Sequence, residues 1–368
     1  MVPTETVDMS RVRTGYERLI AHRVGRTFAG IAADNGKVTN IDEKASLIEV
    51  TYDDGKVDIF SFGEQYTEFQ GFNVTQDLVS VVKLGQKVTK GDVVTYNKGY
   101  FTRDPLTGQL DMSIGVLANV ALMENDTTLE DSTEISERLS KKLTIRPTNS
   151  RIITLTRKSI VHQVRAVGDH VLNTDHLIIF EEEPVEGGSM FNVDDATLSL
   201  LADMNRDKPA AKFNGKIVEI EAYAGCEPSE MHPTLAAIFK SAVEKKNRRS
   251  RIAGKTNRAE EYPASGVMPV GSKYKGVMFD ADTVCLVFYI QEEVIHDKGD
   301  KLVFANQLKC TCAGVFPQPI TTESGQQIDA LFSPDAIYRR CVMSPMLYGV
   351  LARIVEKVEA DAVNMYFK

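Results

Sequence analysis

Two lysines eight residues apart, Lys301 and Lys309, follow a Gly299-Asp300 turn. A lysine ammonium is a compact charge on a flexible stem, suited to meeting a phosphate oxygen. Arg340 carries the complementary tool, a planar fork that can grip a triphosphate through two parallel hydrogen bonds. Glu130 and Asp131 are adjacent carboxylates. Neighbours in a strand face opposite ways, so these two do not hold one ligand directly between them. Asp131 also stands where an oxygen can cap the helix expected after it. Arg138 follows Glu134 by four, the spacing of a helical ion pair. Residues of these types suit phosphoryl transfer, in which positioned cations and metal ions stabilise charge on the transferred group. The plainer readings are exposed surface lysines, surface ion pairs and a helix cap.

Other chemistries lack their signatures. Asp280-Ala-Asp282 is a D-x-D, and no D-x-D-x-D run occurs. The five cysteines (Cys226, Cys285, Cys310, Cys312, Cys341) are odd in number and irregular in spacing, which argues against a disulfide framework. Cys310-Thr-Cys312 has no second pair near it, so these thiols read as small buried side chains rather than zinc ligands. The six histidines show no metal spacing.

Composition sets wider bounds. The chain has 368 residues, 43% hydrophobic and 26% charged, enough for a sizeable core and for two domains. No apolar run approaches the roughly 18 residues of a membrane span, and the acidic, polar first ten residues do not read as a secretory signal. The expectation is a soluble protein of the cytoplasm. Its net charge of −8 runs against a free nucleic-acid binder, which is usually basic, but allows a local basic channel completed by other chains.

The elements that must position these residues are mostly strands, in an α+β chain. Ser46–Tyr52, an Asp53-Asp-Gly55 turn and Lys56–Phe60 read as a hairpin. Val81–Gly85 and Val93–Tyr96 read as flanking a second. Gly85–Asp92 resembles Gly168–Asp175, a weak repeat that suggests the same hairpin twice. A short helix is predicted over Ile135–Lys142 and a strand over Gly215–Ala222. A helix starts near Pro233, with Leu235, Ile238, Phe239 and Val243 as its apolar stripe. It runs into the basic Lys245–Arg251, which reads as a solvated face. Glu181–Gly188 reads as an acidic loop. Val284–Ile290 reads as a strand buried on both faces, and Pro345–Val363 as a helix lined by Leu347, Val350, Leu351, Ile354 and Val358.

Three segments, in order, carry a family resemblance. Thr14-Gly-Tyr-Glu17 is similar to T-G-M-E. Gly36-Lys-Val38, Val81–Gly85 and Val88–Asp92 follow at family-like distances, then Ile114-Gly115 and Val120–Met123. Glu130–Leu139 is similar to E-D-S/A-x-x-x-S-E-R over nearly its whole length. Gly299-Asp-Lys301 with Lys309 has the spacing of G-D-K and a second lysine, and Pro334–Arg340 resembles N-P-x-G-x-x-x-R-M. The family is the beta, or second-largest, subunit of multisubunit DNA-directed RNA polymerases, and the match covers most of the chain. Where that family has R-H-G-N-K-G, this chain has Ala305-Asn-Gln-Leu-Lys-Cys310.

The resemblance implies a double-psi β-barrel core with hybrid-binding elements, from residues 1–145 and 265–368, and an inserted flap-like module over 146–264. It implies that Lys301 and Lys309 meet the RNA 3′ end and nearby backbone phosphates. It places Arg340 and Arg138 toward nucleotide and nucleic acid, and Glu130 and Asp131 in the catalytic set, with Asp131 near a second magnesium. The first magnesium belongs to the aspartate triad of the largest, beta-prime-like subunit, so this chain alone is expected to be inactive. Partners implied are that subunit, an N-terminal beta-like chain, the DNA template, the RNA transcript and nucleoside triphosphates. Split, diverged subunits of this kind occur in large bacteriophages, which implies the host cytoplasm or packaging in the virion. Two alternatives stand beside this reading: a catalytically degenerate structural subunit of the same assembly, and a biotinyl- or lipoyl-like hairpin adaptor suggested by Val88-Thr-Lys-Gly-Asp92.

Overall fold

The computed structural model describes residues 4–69, 72–182 and 206–367, and the chain is mostly β. Its largest sheet has nine strands. The main path runs Ala29–Ile31, Val93–Asn97, Phe72–Ser80, Pro147–Thr156, Thr283–Gln291, Gly215–Ala224 and His170–Val171. All seven residues Val284–Ile290 are buried, as the continuous apolar run predicts. That strand lies between Pro147–Thr156 and Gly215–Ala224, antiparallel to both. One face packs Leu286, Phe288 and Ile290 against Leu235, Phe239 and Val243 of the helix Pro233–Ala253. The other packs Cys285, Val287 and Tyr289 against Tyr66 and Tyr274. Each such side chain contributes about 1.5–3 kcal/mol by leaving water, which makes this the main core. The sheet draws strands from both sides of residues 145 and 265, since Pro147 pairs with Val74. The acidic run from Glu181 starts at the end of the strand Ile178–Glu181, and from residue 183 it lies outside the described residues.

The helix Pro233–Ala253 begins at the His232 cap with proline in its first turn. It includes the basic run, and the solvated-face reading fails at Lys246, Arg248 and Arg249. Lys246 pairs with the buried Glu221. Arg248 binds Asp42 at 2.7 Å, and Arg249 reaches Gln65 and Ser61 at 2.8 and 2.9 Å. The run ties the helix to the N-terminal sheets, because carboxylates and hydroxyls of those sheets face it.

The predicted hairpin Leu47–Tyr52 with Val57–Ser61 forms. It joins Gly36–Asp42 and the two-residue strand Lys87–Val88 in a four-stranded sheet. The second predicted hairpin forms only at its base: Val93–Asn97 pairs antiparallel with Phe72–Ser80 and Val81 N donates to Val94 O at 3.1 Å, but the chain between them is not a tight turn. Lys87–Val88 pairs with Gly36–Asp42, while Val93–Asn97 pairs in the large sheet. Lys90 is therefore not at a free hairpin tip, the geometry a carrier lysine needs.

The weak repeat has a structural counterpart of another kind. In the first unit Gly85 N donates to Val38 O, Val38 N to Gln86 O, and Ala32 N to Asp92 O, all at 2.9 Å. In the second, Gly168 N donates to Ile217 O, Ile217 N to Asp169 O, and Ala211 N to Asp175 O, at 2.7–2.9 Å. Asp92 caps Thr89 N as Asp175 caps Leu172 N. Asn35 caps Lys90 N as Asn214 caps Asn173 N. Gly36 stands opposite Val88, and Gly215 opposite Val171. A Cβ on Gly36 would meet Thr51 O at 2.4 Å, and one on Gly215 would meet Gln291 O at 2.2 Å. Each unit is thus Ala-x-x-Asn-Gly-Lys-Val/Ile paired with Gly-x-x-Val-x-x-x-Asp. The two halves occur in opposite chain order in the two units.

A third sheet curves as a half-barrel in the order Val120–Leu122, Ala330–Phe332, Ser132–Ser136, Leu308–Phe316, Lys301–Phe304. Parallel and antiparallel pairs alternate across it. The predicted helix after it spans only Glu137–Lys142, because Ile135 and Ser136 belong to the strand. Ser136, not Asp131, is the N-cap. The last helix, Ser344–Tyr366, has no buried residue. Its stripe Leu347, Val350, Leu351, Ile354 and Val358 is exposed, and the N-terminal segment holds it through Ser10–Tyr348 and Arg11–Glu359. No helix among the described residues is long and apolar enough to cross a membrane.

Candidate functional site

The site is the outer face of the half-barrel sheet around the hairpin Lys301–Phe304 and Leu308–Phe316. Lys301 pairs with Thr311, and Val303 with Lys309. Opposed residues share a face, and alternate residues return to it. Lys301, Val303, Lys309 and Thr311 therefore lie on one exposed face, while Leu302, Phe304, Leu308 and Cys310 turn to the core. The cores behind the hairpin hold Cys310 and Cys312, and burial pushes the Cys310 thiol up to about 12. Neither lysine ammonium has a carboxylate within ion-pair distance among the described residues.

Arg340 clamps the hairpin turn. Its Nη1 donates to Lys309 O at 3.2 Å and Gln307 O at 3.5 Å, and its Nη2 pairs with Asp131. Asp131 O in turn accepts from Thr311 N at 2.8 Å. The turn is left-handed at Ala305 (φ 48°) and Gln307 (φ 68°), a region that glycine enters without steric cost. The short helix Pro334–Arg340 delivers the arginines. Ser333 caps it, and its last turn carries Arg339 and Arg340. Arg339 pairs with Glu130 at 2.5 Å and with Asp335 at 2.7 Å. The structure thus gathers Glu130, Asp131, Lys301, Lys309 and Arg340 on neighbouring elements.

Arg138 is not in that group. It does not pair with Glu134, which lies in the strand and accepts from Asn125 and Thr127 instead. Arg138 donates to Asp329 Oδ1 through Nε at 2.8 Å and Nη2 at 2.6 Å. Asp329 is buried and also accepts from Asn119 N, so it joins three strands' ends. Sequence reasoning missed Asp329; its only signal is a lone carboxylate inside the apolar run Ile328–Phe332.

The carboxylates of Glu130 and Asp131 are occupied by Arg339 and Arg340, and no metal-competent group of three ligands occurs among the described residues. The described residues do not make a magnesium site by themselves. What the face offers is two unpaired ammonium groups, held by a clamped turn, for an anionic ligand. Neither a scan against protein-family models nor a search of curated proteins found a match to the chain.

Proposed function

We propose that this chain is the catalytic-side part of a beta-type subunit of a multisubunit DNA-directed RNA polymerase, with its half-barrel sheet forming part of a double-psi barrel. One observation carries the reading: Lys301 and Lys309, at the family's spacing, stand unpaired on one exposed face of one hairpin. Their role is to hold phosphates of the transcript end and incoming nucleotide, stabilising charge by position. Arg340 and Asp131 act as positioning residues, because their pair fixes the turn that presents Lys309. Gln307 supports the reading too. It stands where the family has glycine and keeps the backbone that glycine would take. The exposed stripe of the last helix suits a subunit that works within an assembly. In this reading residues 146–264 are this chain's flap-like module, and the metal-holding aspartates belong to the largest-subunit partner.

A degenerate subunit is favoured by one feature, the use of Arg340 on Asp131 and on carbonyls instead of leaving it toward solvent. The test is Lys301→Ala with Lys309→Ala in the co-purified complex. Elongation rate on a primed template is expected to fall by about two orders of magnitude. Unchanged elongation sinks the catalytic role, and a chain that purifies without a partner bearing an aspartate triad sinks the polymerase reading.

A further inference from the structure

The two turn units share a skeleton but not a charge. In the first, Lys37 and Lys87 stand directly opposite in the strand pair. The Lys37 stem lies over the adjoining turn, its Cε 3.8 Å from where a Cβ on Gly85 would sit. That turn carries Lys83, whose carbonyl accepts from Gln86 N. All three lysines are exposed, and no carboxylate among the described residues is within ion-pair distance of them. Thr51 pairs with Lys37, and its hydroxyl meets that of Thr39 at 3.1 Å. Leu84, next to Lys83, is 66% exposed.

Like charges directly opposite destabilise a strand pair, and an anion between them removes the cost. A row of flexible point charges, two hydroxyls and one exposed apolar side chain fits a string of phosphates with a sugar or base beside it. A carboxylate-bearing protein partner would be met better by arginine forks, and this face has none. We infer that Lys37, Lys83 and Lys87 bind the phosphate backbone of a nucleic-acid strand, with Leu84 against a sugar or base. This deepens the polymerase reading: which strand is bound rests on that reading, while the charge geometry does not. The second unit is a built-in contrast. Lys216 opposes His170 there, and the places of Lys83 and Gln86 are taken by Ala166 and Asp169.

The full chain is titrated against fluorescein-labelled RNA, duplex DNA and an RNA–DNA hybrid, by anisotropy, across a salt series. Lys37→Gln/Lys83→Gln/Lys87→Gln is expected to weaken binding at least tenfold. It should also lower the slope of log affinity against log salt by about two to three, one ion released per phosphate contact. Lys216→Gln/His170→Gln is expected to change affinity less than twofold. Near-UV circular dichroism must match the wild type for each variant, and the single Lys87→Glu must weaken binding in the same direction. An unchanged slope in the triple variant overturns the inference. So does displacement of RNA by polyglutamate at equal charge concentration. A triple variant that loses binding in a chain that purifies without a partner bearing an aspartate triad keeps this surface and sinks the polymerase reading. The opposite pair of results keeps the reading and removes the surface.

Discussion

The first turn unit and the second are built on the same hydrogen bonds, yet they have diverged on their outsides. Both keep the buried valine or isoleucine, the Asn-Gly-Lys step, the capping aspartate and the left-handed glycine. Lys83, Lys87 and Lys90 of the first become Ala166, His170 and Asn173 in the second, and Gln86 becomes Asp169. Apart from the exposed Lys37 and Lys216, the residues that stayed are those whose loss would strip a turn N–H of its cap, open the core or put a side chain into a carbonyl. The residues that changed are the exposed ones. Within one chain, the pair thus separates what the turn needs from what the surface can be used for.

Breaking the skeleton should hurt both units alike. Gly36→Ala and Gly215→Ala each push a Cβ onto a strand carbonyl and are expected to cost about 3 kcal/mol in urea denaturation. A cost below about 0.5 kcal/mol at either would end the equivalence. The next largest effect belongs to the four-stranded sheet that carries part of the first unit. Asp58 is buried there; burial pushes its pKa up, but the Arg26 pair at 2.5 Å, Ile59 N and Tyr52 outweigh that and hold it below the usual carboxylate range. A depressed carboxylate stabilises above its unfolded pKa, near 4, and that stability is lost as pH falls through the folded value. Asp58→Asn should cost about 2 kcal/mol at pH 7, and the variant's stability should change less between pH 5 and 2 than the wild type's. Asp92→Ala and Asp175→Ala each remove one turn cap, and about 1 kcal/mol is expected from both, measured by thermal melting. The smallest effect sharpens the contrast in charge. Lys87→Thr should raise stability by a few tenths of a kcal/mol at low salt and by less at high salt, since it relieves Lys37. His170→Thr should do nearly nothing.

Much of this was legible in the chain. The run Val284–Ile290 announced the centre of the sheet because apolar side chains on both faces leave one place to go. The stretch with Lys301 and Lys309 reads from sequence as a loop after that strand, because its first arm, Lys301–Phe304, is short; the structure instead puts both lysines on the paired strands of one hairpin. The repeat was visible only in part. Its second halves, Asn35–Val38 and Asn214–Ile217, lie before one copy and after the other, and a tandem search looks in the wrong direction. The basic run misled because charge alone does not reveal what faces it; Asp42, Gln65 and Glu221 come from distant strands. Arg138 and Asp329 are 191 residues apart, so local spacing pointed to Glu134 instead.

The placement of the strand Thr283–Gln291 between Pro147–Thr156 and Gly215–Ala224 has a cost during synthesis. The two flanking strands are made first and do not pair with each other. Both wait, with ladder groups and apolar faces open, until the ribosome has delivered residue 291, a delay on the order of several seconds. Open edges of this kind recruit other chains. Slower initiation, lower temperature or a chaperone that shields the nascent sheet should therefore raise the soluble yield. Moving Thr283–Gln291 earlier by circular permutation should remove that dependence.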